Sequence, residues 1–323
     1  MTMQQISREG RFGIDRLETR EVQAGNVFGA LADLSVVDQP FTPAPLVGRM
    51  TATLSQGTLT ITGDSTVHGL LIEQIGKHKF QLTGENYVNG VENVVNGRTS
   101  VIFDGVTKDF VLQFGAETDA VGFKGKDGSH PLKAPRDVFF SSNGGYDVID
   151  MRDVKVERDL HVTMGDTYGL ADLFRATIGR DAFIQTGANH DVIDLFKVEV
   201  QRNLTIAAGG GDDALFLNQS TVQGSASIQA GDGDDYVSLI QTKFQKDLNL
   251  TTGAGKDQVF LNATKADSYF VALGDGDDQL QLTSIRGKKG TFDGGAGTDS
   301  LKGSKSYQLS KTPTFLSFES QSV

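Results

Sequence analysis

Apolar and polar residues alternate along most of the chain in short runs, and the runs recur at a fixed interval. Nine and seven residues before a set of aligned aspartates lie Val138/Phe140, Ala182/Ile184, Leu204/Ile206, Ala226/Ile228, Leu248/Leu250 and Tyr269/Val271. Two and four residues after the same aspartates lie Ile149/Met151, Ile193/Leu195, Leu215/Leu217, Val237/Leu239, Val259/Leu261 and Leu280/Leu282. Alternation with period two on both sides of a turn predicts two short strands, each with one face inward. A third inward position falls nine residues after the aspartate, at Val156, Val200, Val222 and Phe244. No segment of the repeat keeps a 3.6-residue period across its turns, so the pattern is not helical.

The aligned aspartates close Gly-rich turns: Gly211-Asp212-Asp213, Gly233-Asp234-Asp235, Gly255-Lys256-Asp257, Gly276-Asp277-Asp278 and Gly297-Thr298-Asp299. Steps between them are 22, 22, 21 and 21 residues; Asp191 lies 22 before Asp213, and Asp147 lies 44 before Asp191. Three short strands per repeat of this length predict an all-β chain, a right-handed parallel β-helix with about 22 residues per coil, capped at both ends. The coil from Leu160 to Ile178 is expected to carry a longer turn, because its Asp172 sits late. Upstream, Thr58 to Asp64 and Lys79 to Glu85 stand one period apart and read as two more coils, and Phe110 to Asp119 reads as another strand and turn. The solenoid is therefore expected over 50–303, about eleven coils in a rod roughly 50 Å long. Residues 26–49, with apolar positions at helical spacing from Val27 to Val37, are expected to cover one end. Residues 304–323, with Leu309, Phe315, Leu316 and Phe318, are expected to cover the other, since open strand edges invite further pairing. Association with another chain at the ends is the alternative.

Composition narrows the function classes. Acidic residues outnumber basic ones by 41 to 30, for a net charge of -11. That excludes a nucleic-acid partner, which requires a basic face, and favours cations or plain solubility. No apolar run is long enough to span a bilayer. Without cysteine there are neither disulfides nor thiolate metal sites. His68, His78, His130, His161 and His190 show no zinc spacing, and the chain has no Gly-x-Ser-x-Gly elbow or phosphate-cradling loop. Glycines number 39 against six prolines, pointing to turns that need positive φ.

At Gly294-Gly295-Ala296-Gly297-Thr298-Asp299-Ser300-Leu301 the sequence resembles the nonapeptide unit of repeats-in-toxin (RTX) proteins. Gly231 to Val237 and Gly274 to Leu280 are close variants. The resemblance implies calcium bound at the Gly-rich turns and export without a signal peptide of the usual kind. The RTX unit recurs every nine residues, whereas here one such turn occurs per 22, so only one edge of the rod is expected to carry ions. Phe12 to Arg20, followed by Val22-Gln23-Ala24-Gly25, resembles the Leu-Glu-x-Arg segment that opens many exported proteins of planctomycete-type bacteria. That implies an export segment over 1–25 and an extracellular or cell-surface location.

Stacking the turns places carboxylates about 4.8 Å apart along one edge, where like charges repel unless neutralised or solvated. Calcium takes six to eight oxygens in irregular geometry, and Asp212, Asp213, Asp232, Asp234, Asp235, Asp257, Asp275, Asp277, Asp278 and Asp299 are its expected ligands. The competing reading has each aspartate capping its own turn through an Asx hydrogen bond, with no ion. The expected function is a non-catalytic structural or adhesive β-solenoid whose partners are extracellular polysaccharide or other surface proteins. Asn218, Thr242, Asn262 and Thr283 are expected on the outer face. The alternative is a β-helix polysaccharide lyase or hydrolase, with Lys126, His130 and Lys133 in an insertion and Asp166, Tyr168 and Arg175 in the longer turn overhanging a groove. Fold alone does not imply that activity.

Overall fold

The computed structural model describes residues 47–86, 92–126, 130–303 and 307–322. The expected export segment and the helical spacing at Val27 to Val37 lie outside the described residues. Within them, no helix is long and apolar enough to cross a membrane.

One strand precedes each Gly-rich turn, one follows it, and a short third completes the coil. Leu204–Gly210, Ala214–Asn218 and Thr221–Val222 form one such set. Each strand pairs in parallel with its counterpart in the next coil. Val138, Leu160, Ala182, Leu204, Ala226, Leu248, Tyr269 and Gly290 share one register, so eight regular coils stack at steps of 22 or 21 residues. The described residues form a parallel β-solenoid with two sheets of thirteen strands, a third of six and a fourth of two. Thirteen strands about 4.8 Å apart make a stack about 60 Å tall.

Alternation decides what lies inside. Ile206, Ile228, Leu250 and Val271 stack in one fully buried column, and Leu217, Leu239 and Leu261 in another. Burying each such side chain is worth about 1.5–3 kcal/mol, and one continuous cluster runs the length of the rod. The third sheet closes the core with Val156, Val200, Val222 and Phe244, all buried.

A second corner follows each strand of the second sheet. There Asp153, Arg175, Lys197, Gln219, Gln241, Ala263 and Ser284 adopt φ between 50° and 56°. Left-handed backbone costs a non-glycine residue about 1–2 kcal/mol. The inter-coil ladder offsets it: the N–H groups of Lys197, Gln219 and Gln241 donate to the carbonyls of Asn218, Ile240 and Asn262 in the next coil.

The upstream end departs from the sequence expectation. Six strands open the described chain: β1 (Val47–Ser55), β2 (Thr58–Gly63), β3 (His68–Gly76), β4 (Lys79–Gly84), β5 (Glu92–Val95) and β6 (Ser100–Asp104). β1 with β2, and β3 with β4, are antiparallel hairpins, and β6 runs antiparallel to β4. β2 and β4 therefore belong to different sheets and are not successive coils; their 21-residue spacing reflects two hairpins of similar length. Only β2 and β3 carry the next coil, on Phe110–Gln113 and Asp119–Lys124. Eight regular coils with irregular layers at the ends replace the eleven expected. At the other end Tyr307–Leu309, Thr314–Leu316 and Ser320–Ser322 pair in parallel with the preceding strands, adding a further layer. Phe315 stacks on Phe292 there, with centroids 5.3 Å apart.

Two further expectations are corrected inside the rod. The turn before Gly169 is of ordinary length, because Leu160 to Ala182 is one regular step. Gly169 occupies the aspartate position, and Asp172 instead lies in the second sheet, between Asp150 and Asp194. Thr242 is 1% exposed, so it is an interior corner residue and not an outer one.

Candidate functional site: carboxylate ladders along the Gly-rich turns

Glycine lets the turns pack directly on one another. Gly231, Gly253 and Gly274 sit at φ of 122°, 119° and 111°. A Cβ on any of them would lie 1.8 Å from the carbonyl oxygen of the glycine one coil before. No side chain fits, so the turn backbones approach closely and the aspartates beside them come into reach of the neighbouring coil.

The inner aspartates use that reach. The N–H of Asp191 donates to Oδ1 of Asp213 at 2.7 Å, and that of Asp213 to Asp235 at 2.8 Å. Asp235 continues to Asp257, Asp257 to Asp278, and Asp278 to Asp299, at 2.8–2.9 Å. The Gly169 N–H joins through Asp191, and the Asp119 N–H bonds Asp147 at 3.1 Å. His68 ends the upstream side, its Nδ1 2.6 Å from Asp119 Oδ1, while Glu319 accepts the Asp299 N–H at the other end. Each inner aspartate thus caps the turn of the coil before it, where the competing reading had an Asx hydrogen bond within its own turn.

The outer acids run the opposite way. The N–H of Asp234 donates to Asp212 Oδ1, that of Lys256 to Asp234, and that of Thr298 to Asp277, at 2.8–2.9 Å. His190 heads this file, its Nδ1 accepting the Asp212 N–H at 2.7 Å, with its ring against Tyr168. The ten expected ligands therefore separate into three groups. Asp213, Asp235, Asp257, Asp278 and Asp299 form the buried inner file, and Asp212, Asp234 and Asp277 the outer one. Asp232 and Asp275 stand exposed at strand ends, separated by Ala254 in the register. Doubling of the acids matches two opposed ladders, each satisfying a different set of N–H groups.

Burial sets the inner file's protonation. It pushes Asp213 up to about 9, Asp235 and Asp147 to about 7, and Asp191 and Asp278 to about 6, and raises Asp257 and Asp299 as well. Neighbouring aspartates add to the effect at Asp213, Asp235 and Asp278. Burial works against the charged form of His68, yet its bonds to Asp119 and Asp64 raise it overall. Oδ2 of Asp213, Asp235, Asp278 and Asp299 is buried without a hydrogen-bond partner. Among the described residues, no three His, Asp or Glu side chains gather into a metal-binding group.

A second polar file was not read from the sequence. Ser220, Thr242 and Thr264 follow the left-handed corner, and their hydroxyls donate to Leu195, Leu217 and Leu239 carbonyls at 2.6–2.9 Å. Nor was the Asp150, Asp172 and Asp194 column, although its 22-residue spacing is visible. Arg152 bridges Asp150 and Asp172 at 2.8 and 2.9 Å, and burial pushes Asp172 to about 7.

The residues of the enzymatic alternative fall at two corners: Lys126, Lys133 and Arg175 flank the left-handed corner at Asp153, while Asp166 and Tyr168 lie in the turn before Gly169. Arg175 sits at a left-handed corner, bonded to both oxygens of Asp153 at 2.6–2.7 Å and lying over Phe174. Lys133 lies in Leu132–Ala134 of the third sheet, its N–H donating to Gln74. The Lys126 N–H donates to the His130 carbonyl at 3.1 Å. No family model, curated protein or solved structure matches this chain.

Proposed function

We propose that this chain is a non-catalytic structural and adhesive β-solenoid of RTX-like kind, secreted or displayed at the cell surface. The carboxylate ladders carry the reading. Inner and outer acids that would otherwise be free for chemistry are engaged in joining one coil to the next, so the repeat is accounted for as a frame. Its partners are extracellular polysaccharide or other surface proteins. The Phe12 to Arg20 resemblance and the net charge of -11 support an exported, well-solvated rod. The test is protease added to intact cells, together with a panel of polysaccharides assayed for reducing ends and unsaturated products. Cleavage of the chain at the surface with no turnover is expected; a chain shielded inside the cell, or turnover, rejects the reading.

Calcium along the edge is a second reading, favoured by the unpartnered inner oxygens. A buried carboxylate without a partner is costly and is relieved by a proton or by a cation. The coils of Asp213, Asp235, Asp278 and Asp299 each offer one such oxygen, which suits an ion that accepts several oxygen ligands in irregular geometry. Thermal melts at pH 8 with calcium or chelator separate the two. An ion bound only by the folded chain raises the midpoint as its concentration rises. An unchanged midpoint over millimolar calcium leaves protonation as the neutralising event.

A further inference from the structure

We propose that the outer face of the second sheet between Ala214 and Thr283 binds a neutral polysaccharide lying along the stacking axis; this rests on the adhesive reading and names its partner. Four successive strands, Ala214–Asn218, Tyr236–Ile240, Gln258–Asn262 and Gln279–Thr283, each place three alternate residues on the outer face, of which Ala214 and Ser238 are buried beneath their neighbours. Those twelve positions carry no charge, on a chain in which 22% of residues are charged. Charges bound them within the same column, with Asp194 before Phe216 and Lys302 after Gln281.

The neutral patch has a definite chemistry. Phe216, Tyr236 and Phe260 form a chain of half-buried rings with centroids 5.6 and 5.2 Å apart, tilted by 44° and 35°. Tyr236, Phe260, Asn262, Gln281 and Thr283 line a shallow open groove. In the column that holds Ile240 and Asn262, Oδ1 of Asn218 is buried without a hydrogen-bond partner. A sugar ring presents a C–H face and a rim of hydroxyls. Aromatic faces suit the first, while amides and hydroxyls, which donate and accept, suit the second. Rungs about 4.8 Å apart repeat this offer at close to the advance of one pyranose ring along an extended chain.

Charge selects among polymers. The chain's net charge of -11 repels uronates and sulfated glycans, and the patch holds no cation to pair with them. A neutral polymer meets no such penalty. Protein hot spots are built from arginine as well as aromatic anchors, and these twelve positions include no arginine.

The experiment is retention of the full chain on insoluble glucan, mannan and chitin beside pectate and alginate, with released reducing ends assayed in the same tubes. At least one neutral polymer is expected to retain the chain. Phe216→Ala, Tyr236→Ala and Phe260→Ala each weaken retention about tenfold while the melting midpoint holds, and Phe260→Tyr restores it. Should any of these alanine variants melt early, the remaining ones and Phe260→Tyr carry the test. Retention untouched by removing the rings overturns the site, and retention on acidic polymers alone overturns the partner. Binding to none of the polymers overturns the proposal and leaves the structural rod in place. Released reducing ends would instead overturn the non-catalytic reading beneath it.

Discussion

The two corners of each coil solve one problem with opposite chemistry. At the Gly-rich turn, a buried aspartate accepts an N–H from the coil before, and glycine supplies the backbone geometry. At the opposite corner, a non-glycine residue takes the left-handed conformation, and a buried Ser or Thr hydroxyl donates to a carbonyl of the preceding coil. Both hold adjacent coils in register. Of these two bridges only the carboxylate is ionisable, so only that bridge responds directly to protons and cations. A neutral hydroxyl performs the same bridging without that dependence.

The largest break in this comparison comes from the turn backbone. Gly231→Ala puts a methyl 1.8 Å from the Gly209 carbonyl at a φ of 122°, and the expected loss is on the order of 3–4 kcal/mol, read by chemical denaturation. Next is the ladder itself. Asp235→Ala leaves the Asp213 N–H buried without its acceptor and is expected to cost about 2–3 kcal/mol. Asp235→Asn keeps an acceptor oxygen and is expected to cost less than about 1 kcal/mol at pH 5. Equal losses for the two would show that the hydrogen bond is not what the carboxylate supplies.

The proton dependence has a definite sign. Inner aspartates have folded-state values above the unfolded one, so between about pH 4 and their folded values the native rod holds the extra protons. Stability therefore falls as pH rises through about 6 for Asp191 and Asp278, about 7 for Asp235 and about 9 for Asp213. His68, also raised, loses its contribution in the same direction. Without calcium, the melting midpoint is expected to drop by roughly 5 °C or more from pH 5 to pH 8, and Asp213→Asn should flatten the slope. A midpoint that climbs over that range would contradict the buried ladder.

The smallest effect belongs to the neutral corner. Thr242→Val removes one hydroxyl from the Leu217 carbonyl while keeping the shape, for an expected loss of about 1 kcal/mol with no change in pH slope. A change in that slope would mean the two corners are coupled through the coil.

Much of this architecture was legible in residue order. Alternation around the aligned aspartates marks the inward pairs from Val138/Phe140 to Leu280/Leu282, because in a strand the face is set by parity alone. Periodicity near 22 gives the stacking, since each coil must repeat to pair with the last. Gly231 and its counterparts mark one corner, where only glycine fits. What stayed hidden depends on contacts between coils or on the path of the backbone. Gln219 and Gln241 carry no sign that they adopt a left-handed conformation, because hydrogen bonds from the next coil hold them there. Asp213 could be read as capping its own turn, and only stacking brings the Asp191 N–H to its oxygen. β2 and β4 share a spacing with the coils, yet hairpin closure sends them to different sheets. The sequence by itself determined the repeat, its inner faces and its glycine turns, since these follow from local stereochemistry and burial. Which aspartate bonds which coil, and where stacking gives way to hairpins, was decided only when distant segments met.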